Sequence, residues 1–291
     1  MPNPLDFLIT GSHYTTTRTA TVQDRESLVT LIRDSQALHR HLDWFEPLEW
    51  LGSEPFWLME NSQRIQAALA MPPDPPEAAW IRLFACLHAS RVQDAWETLL
   101  GNCLTHFRNK PAAVAAIGLT AWFSKLLSNS GFKVYQDIVV LQTDLAADLP
   151  GSRANPEVTV RPYQMADIGQ IVYVDQSSFE SIWQVSASGM EHACRAAAYI
   201  SVAEVEGKVV GYQLSTSSPL STHLARLAVL PEYQHHGIGT ALIHDLRNHC
   251  LQAKVTELTV NTQSSNAASL HLYHKLGFIQ TEERFPVFTL A

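Results

Sequence analysis

The chain has 291 residues, of which 46% are hydrophobic and 16% charged, with a formal net charge of −8 and a pI near 5.9. That balance supplies a packed core for one large domain or two ordinary ones and argues against disorder. An acidic surface without a run of Lys or Arg excludes nucleic-acid binding as the main activity.

The start, Met1-Pro-Asn-Pro, has no basic stretch leading into an apolar run. No uninterrupted apolar stretch approaches the roughly 20 residues a membrane helix needs. Cys86, Cys103, Cys194 and Cys250 show neither CxxC nor zinc spacing. These features predict a cytoplasmic protein with scattered thiols, no signal peptide, no membrane span and no metal.

Arg18–Gln23 reads as a strand, and Asp24 caps a helix that carries Leu28, Leu31 and Ile32 on one face. Strands follow at Trp57–Glu60, Ile65–Met71 and Trp80–Leu87. A helix is predicted over Val92–Phe107, a strand over Ala112–Leu119, a helix over Trp122–Asn129 and a strand over Ile138–Leu141. Asp144–Pro156 gathers Pro, Gly, Ser and Asn with no hydrophobic period, which reads as a linker.

Beyond it, Val158–Pro162 reads as a strand and Asp167 caps a helix through Ile168, Ile171 and Val174. A second helix covers about Ser186–Ala197. Strands at Ala198–Val205 and Val209–Ser215 are joined by the turn Glu206-Gly207-Lys208, and His223–Leu230 is another strand. From Ile238 to Cys250 the pattern turns helical, with Leu242, Leu246 and Cys250 four residues apart. Val255–Val260 reads as a strand, Asn266–Leu276 as a helix closed by Gly277, and Phe278–Leu290 as a hairpin.

The two halves repeat one order of elements. Ile81–Leu87 lies 143 residues before the similar Leu224–Leu230, and Gly131-Phe132 lies 146 before Gly277-Phe278. Duplication of one α/β fold is the reading taken, with two unrelated α/β halves as the alternative.

The chemistry-bearing segment is Pro231-Glu-Tyr-Gln-His-His-Gly-Ile-Gly-Thr240, between a strand and a long amphipathic helix. Glycines let backbone N–H groups approach an anion, and the positive end of the helix dipole falls at the same place. No Lys follows the glycines, so this is not a P-loop, and the Rossmann GxGxxG spacing is not met.

This segment, together with Asn266-Ala-Ala-Ser-Leu-His-Leu-Tyr-His-Lys-Leu-Gly-Phe278, closely resembles the GNAT superfamily of N-acetyltransferases. The wording is most similar to protein N-terminal and ribosomal-protein alanine acetyltransferases, while the two-copy layout resembles the mycothiol synthases. The resemblance implies an α/β (α+β) fold of two tandem GNAT-like domains. Each would be a mixed, mostly antiparallel sheet flanked by helices, over residues 1–150 and 151–291. It implies an enzyme that takes acetyl-CoA as co-substrate and acetylates a primary amine, either a small molecule or a peptide N-terminus.

The resemblance also implies residue roles. The backbone of Ala228 and Val229 would pair with the pantetheine arm. Gln234, His235, His236, Gly237, Ile238, Gly239 and Thr240 would cradle the pyrophosphate, and Asn266 would bond the cofactor. Tyr273 stands where many members place the acid that protonates the departing thiolate. Some relatives carry a Glu where His223 stands here, which makes His223 a candidate base, in competition with Glu204, Glu206 or a water chain. Tyr273 could instead be a half-buried helix aromatic, and His223 a solvent-facing strand residue.

At an offset of 143, Asp94 and Trp96 fall opposite Gly237 and Gly239; at the offset of 146 carried by Gly131-Phe132, Leu127 corresponds to Tyr273. A carboxylate and an indole are hostile to pyrophosphate, so the first copy is expected to be degenerate and not to bind CoA. His235, His236, His271 and His274 lack carboxylate or cysteine partners at ligand spacing and read as solvated. Trp44, Trp50, Trp57 and Trp183 could line an acceptor cleft or pack in the core. The alternative to the enzyme is a CoA-binding sensor with little turnover. An inactive scaffold fits the intact glycine loop poorly.

Overall fold

The structure, a computed structural model, describes residues 15–62, 64–108, 112–145 and 157–290. The N-terminal segment and most of the expected linker lie outside these residues. In chain order the elements are β1 (Thr16–Thr19), α1 (Arg25–Asp34), β2 (Ala37–Arg40), β3 (Phe56–Glu60), β4 (Ile65–Ala70), β5 (Ala78–Trp80), β6 (Leu83–Cys86) and α2 (Val92–His106). They continue with β7 (Ala113–Ile117), α3 (Ala121–Asn129), β8 (Lys133–Asp144), β9 (Thr159–Pro162), α4 (Ile168–Ser178), α5 (Ala187–Ala196), β10 (Tyr199–Val205) and β11 (Lys208–Ser217). The last are β12 (Ser221–Val229), α6 (Ile238–Gln252), β13 (Glu257–Gln263), α7 (Ala267–Lys275) and β14 (Ile279–Leu290).

Duplication is visible element by element. β1 and β9 are the same length and 143 residues apart. α2 and α6, α3 and α7, and β8 and β14 are matched pairs 146 residues apart. The two copies also share an ion-pair device. Arg18 holds Asp24 through both terminal nitrogens and reaches Glu60; Arg161 holds Asp167 the same way and reaches Glu204. Each aspartate also accepts the backbone N–H three residues earlier, so it fixes the turn that starts the helix. This places Glu204 in a structural pair. Arg18 and its two bonds with Asp24 hold that carboxyl down at about pKa 2.

The chain forms two compact units, residues 1–72 with 81–111 and residues 73–80 with 112–291. The first unit holds a five-stranded sheet in the order β1-β3-β4-β6-β2. Its core includes Leu28 and Leu31 from α1 packed on Phe56, Leu58, Ala68 and Leu83. Burial of these side chains is the main stabilising term, at about 1.5–3 kcal/mol per large apolar side chain.

β2 is absent from the sequence reading. Its four residues, Ala-Leu-His-Arg, are too short and too polar at the end to signal a strand. His39 on β2 is buried, 3% exposed, with Nε2 against the Ile81 carbonyl. Burial pushes its pKa down to about 4 from the usual 6.5. The unfolded chain therefore takes up a proton that the folded chain refuses, so stability is full above pH 6.5 and falls as pH drops towards 4. The expected loss is about 3 kcal/mol between pH 7.5 and pH 4. Urea unfolding of wild type and His39→Gln checks it, and equal pH slopes in the two would remove the assignment.

The second unit holds a nine-stranded sheet in the order β5-β7-β14-β8-β13-β12-β11-β10-β9. Two readings are corrected here. The single strand expected over Trp80–Leu87 is β5 and β6, which enter different sheets; Ile81 and Arg82 form the break. The hairpin expected over Phe278–Leu290 is one long strand with two register shifts. β14 and its repeat-mate β8 lie side by side, each inserted next to a strand of the other copy. Residues 138–144 of β8 run antiparallel to β13, and residues 287–290 of β14 run antiparallel to β7. Each repeat thus gives its final strand to the other, an arrangement of long-range pairings that local periodicity does not encode.

Candidate active site

β12 is the strand that makes the site. Over Ser221–Leu224 it pairs in parallel with β13, and there the pairing stops, although β12 runs on to Val229 and β13 to Gln263. At the same point β12 slips its register against β11, between Leu214↔Arg226 and Ser215↔Leu224. Ala225 is the extra residue of this bulge, which bends and twists the strand away from β13. Residues 225–229 thereby keep β11 on one side and present an unpaired edge on the other.

Strand alternation decides which groups face that opening. The Leu230 N–H bonds Val210 on β11, so Ala228 also points its backbone at β11 and Val229 points away. In agreement, the Val229 carbonyl accepts from Ser178 Oγ at 3.0 Å and from Gln234 Nε2 at 3.1 Å. Of the two residues named for the pantetheine arm, Val229 therefore carries its polar groups on the open side.

The loop that follows holds two left-handed residues, His235 at φ 64° and Gly237 at φ 81°. His236 Nδ1 bonds the Gln234 carbonyl at 2.8 Å, which fixes the turn between them. Gly237 is the N-cap of α6 and has no side chain to bond the first N–H groups. The donors of Ile238, Gly239 and Thr240 are therefore available to an anion, with the helix dipole behind them. Asn266 instead caps α7, its Oδ1 accepting from the Ser269 N–H at 3.0 Å. Its amide donates only a long 3.5 Å contact to Gln263, so the Nδ2 donor remains the group to offer a ligand. A side chain on Gly239 would meet Leu272 at 3.0 Å.

Tyr273 and His223 lie on opposite faces of the sheet. Tyr273 is 4% exposed and packs with Leu224, Ile243, Leu246, Val260 and Phe278 on the face covered by α6 and α7. Burial raises its pKa well above the usual 10, so the phenol is protonated at neutral pH. His223 shares its face with its cross-strand partners Thr216 and Thr259, one residue before the pairing with β13 ends. Its Nδ1 lies 2.8 Å from Thr259 Oγ1, and burial lowers its pKa. A neutral imidazole that donates from Nδ1 to Thr259 keeps a lone pair on Nε2.

A cluster of buried charge beside the opening escaped the sequence reading. Asp175 of α4 is fully buried and accepts from Tyr212 at 2.7 Å, from Arg226 through two nitrogens, and from the Val185 N–H at 3.1 Å. Arg226 also donates to the Trp183 carbonyl at 2.6 Å and lies over the Phe179 ring at 4.0 Å. Trp183 packs on Trp80, whose indole N–H bonds the Ile182 carbonyl. Together these contacts fix residues 179–185 against the bulged half of β12. The available signal was an Asp beside Val174 on an apolar helix face and an Arg in an apolar strand. Among the tryptophans offered for the acceptor cleft, only Trp183 lies in this unit; Trp50 is in the first unit's core.

The first copy corrects another reading. Between β6 and α2 lie five residues, 87–91, against eight, 230–237, between β12 and α6. The offset therefore changes from 143 to 146 at the loop, and Asp94 and Trp96 are not opposite Gly237 and Gly239. Trp96 corresponds to Leu242; it is fully buried, edge-on to Phe84. The loop is shortened rather than obstructed. The edge of β6 that corresponds to the open edge of β12 is also occupied, because β2 pairs along all of it, from Ala37↔Cys86 to Arg40↔Leu83.

Among the described residues no group of three His, Cys, Asp or Glu is placed to hold a metal, and no helix is long and apolar enough to cross a membrane. Residues 168–278 match the model of the acetyltransferase (GNAT) family. An N-alpha-acetyltransferase of Sulfurisphaera tokodaii is 29% identical over 140 residues, covering 44% of this chain and 83% of that protein. The [ribosomal protein bS18]-alanine N-acetyltransferase of Escherichia coli is 33% identical over 72 residues, 25% of this chain and 49% of that protein. A tandem GNAT protein from the clavulanic acid biosynthesis pathway shares the fold, with a TM-score of 0.64 at 15% identity over 95% of this chain and 98% of that one. With its parted strand pair and uncapped glycine loop, the segment 168–278 is a GNAT acetyltransferase domain, and the chain shares the fold of a tandem GNAT protein.

Proposed function

We propose that residues 151–291 transfer an acetyl group from acetyl-CoA to a primary amine by direct attack, and that residues 1–150 are a copy that does not hold CoA. The open edge of β12 at Val229, leading into the uncapped N-terminus of α6, carries this reading. The backbone of Ala228 and Val229 would flank the pantetheine arm. The loop Gln234, His235, His236, Gly237, Ile238, Gly239 and Thr240 would take the pyrophosphate, and Asn266 Nδ2 would donate to the cofactor. In the first copy, β2 takes the place of the arm and the loop is three residues shorter, which supports a single site per chain.

In the reaction the neutral amine forms a C–N bond to the thioester carbonyl and the C–S bond breaks. The Val229 N–H faces the developing oxyanion. His223 Nε2 takes the amine proton and the Tyr273 hydroxyl returns one to the departing thiolate. The names of the relatives favour a peptide α-amine as acceptor over a small amine.

Tyr273→Phe keeps the packing and removes the proton. It should lower kcat by about 100-fold, within the usual range for general acids, and leave acetyl-CoA affinity within about twofold. Unchanged turnover would end that role. His223→Ala should abolish the acid limb of the pH–rate profile, which lies below 6.5 because burial lowers this pKa; a limb that survives points to another base. The enclosure of Tyr273 in the apolar core favours a CoA-binding sensor as the second reading. Thiol release from acetyl-CoA with a panel of peptide and small-molecule amines separates the two: stoichiometric binding with no release on any amine supports the sensor.

A further inference from the structure

The first unit has a cleft of its own, of about 290 Å³, at the lower end of the range for small-molecule sites. Its floor is a row of small or apolar side chains across three adjacent strands, Met59, Ala67 and Cys86, closed by Ala95 of α2. Around that floor stand Arg64, Arg91, His88, Asn61, Gln66 and Thr15. Among the described residues that line it none is acidic, in a chain whose net charge is −8.

Two arginines hold the charge. Arg91 has a carboxylate partner, Asp94, in a pair that is more than half exposed on both sides and therefore weak. Arg64 sits on the β3–β4 turn, which is fixed by its own N–H bonding Asn61 Oδ1 at 3.1 Å. Guanidinium groups suit phosphate and carboxylate through paired N–H donors, and Asn61, Gln66 and Thr15 add neutral polar groups. The volume is too small for CoA, whose pantetheine path along β6 is in any case filled by β2.

We propose that this cleft binds a small multivalent organic or inorganic anion, phosphate- or carboxylate-bearing, so that the first copy keeps a ligand site distinct from the acyl-transfer site. The test is titration calorimetry on the full chain in excess CoA, with inorganic pyrophosphate and citrate as separate probes. At least one probe should bind with one-site saturation, and Arg64→Ala and Arg91→Ala should each weaken it tenfold or more. The arm that binds identifies the ligand as phosphate- or carboxylate-bearing. Both arginines are exposed, so the variants should melt with wild type and keep their thiol-release activity. Absence of saturable binding by either probe, or equal binding in wild type and both variants, overturns the proposal. Because the readout is binding in the first copy, it does not depend on turnover in the second.

Discussion

Replacing Gly239 by glutamate should raise the dissociation constant for acetyl-CoA at least about 100-fold, a loss of about 2.7 kcal/mol. Two effects act together. The new side chain starts 3.0 Å from Leu272, which must give way. Its carboxylate also enters the first turn of α6, where uncapped N–H groups and the helix dipole are offered to the pyrophosphate. A negative charge at a helix start does not harm the helix, so the melting temperature should stay close to that of wild type. Gln93→Glu, at the corresponding place on α2, should leave acetyl-CoA binding unchanged. Calorimetric titration of both variants checks this, and equal affinity for wild type and Gly239→Glu would move the pyrophosphate elsewhere.

Asp175→Ala should be the most destabilising single change in the second unit, at about 3–5 kcal/mol, because it leaves Arg226, whose side chain is only 13% exposed, without its counter-charge. Tyr212 loses its acceptor and the Val185 N–H its partner in the same step. Residues 179–185 should loosen from β12, so turnover should fall before the fold is lost. Pairing Asp175→Leu with Arg226→Met removes both charges and should recover at least half of the lost stability. Urea unfolding of the single and double variants reads both effects. A loss below about 1 kcal/mol in Asp175→Ala would mean that water reaches Arg226.

What was legible in the sequence was local. The helical period of Leu242, Leu246 and Cys250, the glycines of the α6 loop and the cap and stop at Asn266 and Gly277 each act over a few residues, and each is found in place. The repeat was legible too, with offsets of 143 and 146; what the boundaries of α2 and α6 add is that the three-residue shortening falls in the loop before α2. Three things were not legible, all for one reason. β2 on β6, the exchange of β8 and β14, and the Asp175–Tyr212–Arg226 cluster depend on partners far apart in the chain, and no periodicity marks such partners. The bulge at Ala225 belongs with them: it is a property of the β11–β12 register, and it is what frees the edge at Val229.

The most direct measurement is hydrogen exchange along the whole chain with and without acetyl-CoA. Protection should appear over residues 227–240 and at the start of α7, and residues 83–95 should exchange as they do without ligand. Protection in the first copy, or none beside the Gly237 loop, would contradict the assignment of the single acetyl-CoA site to the parted edge of β12.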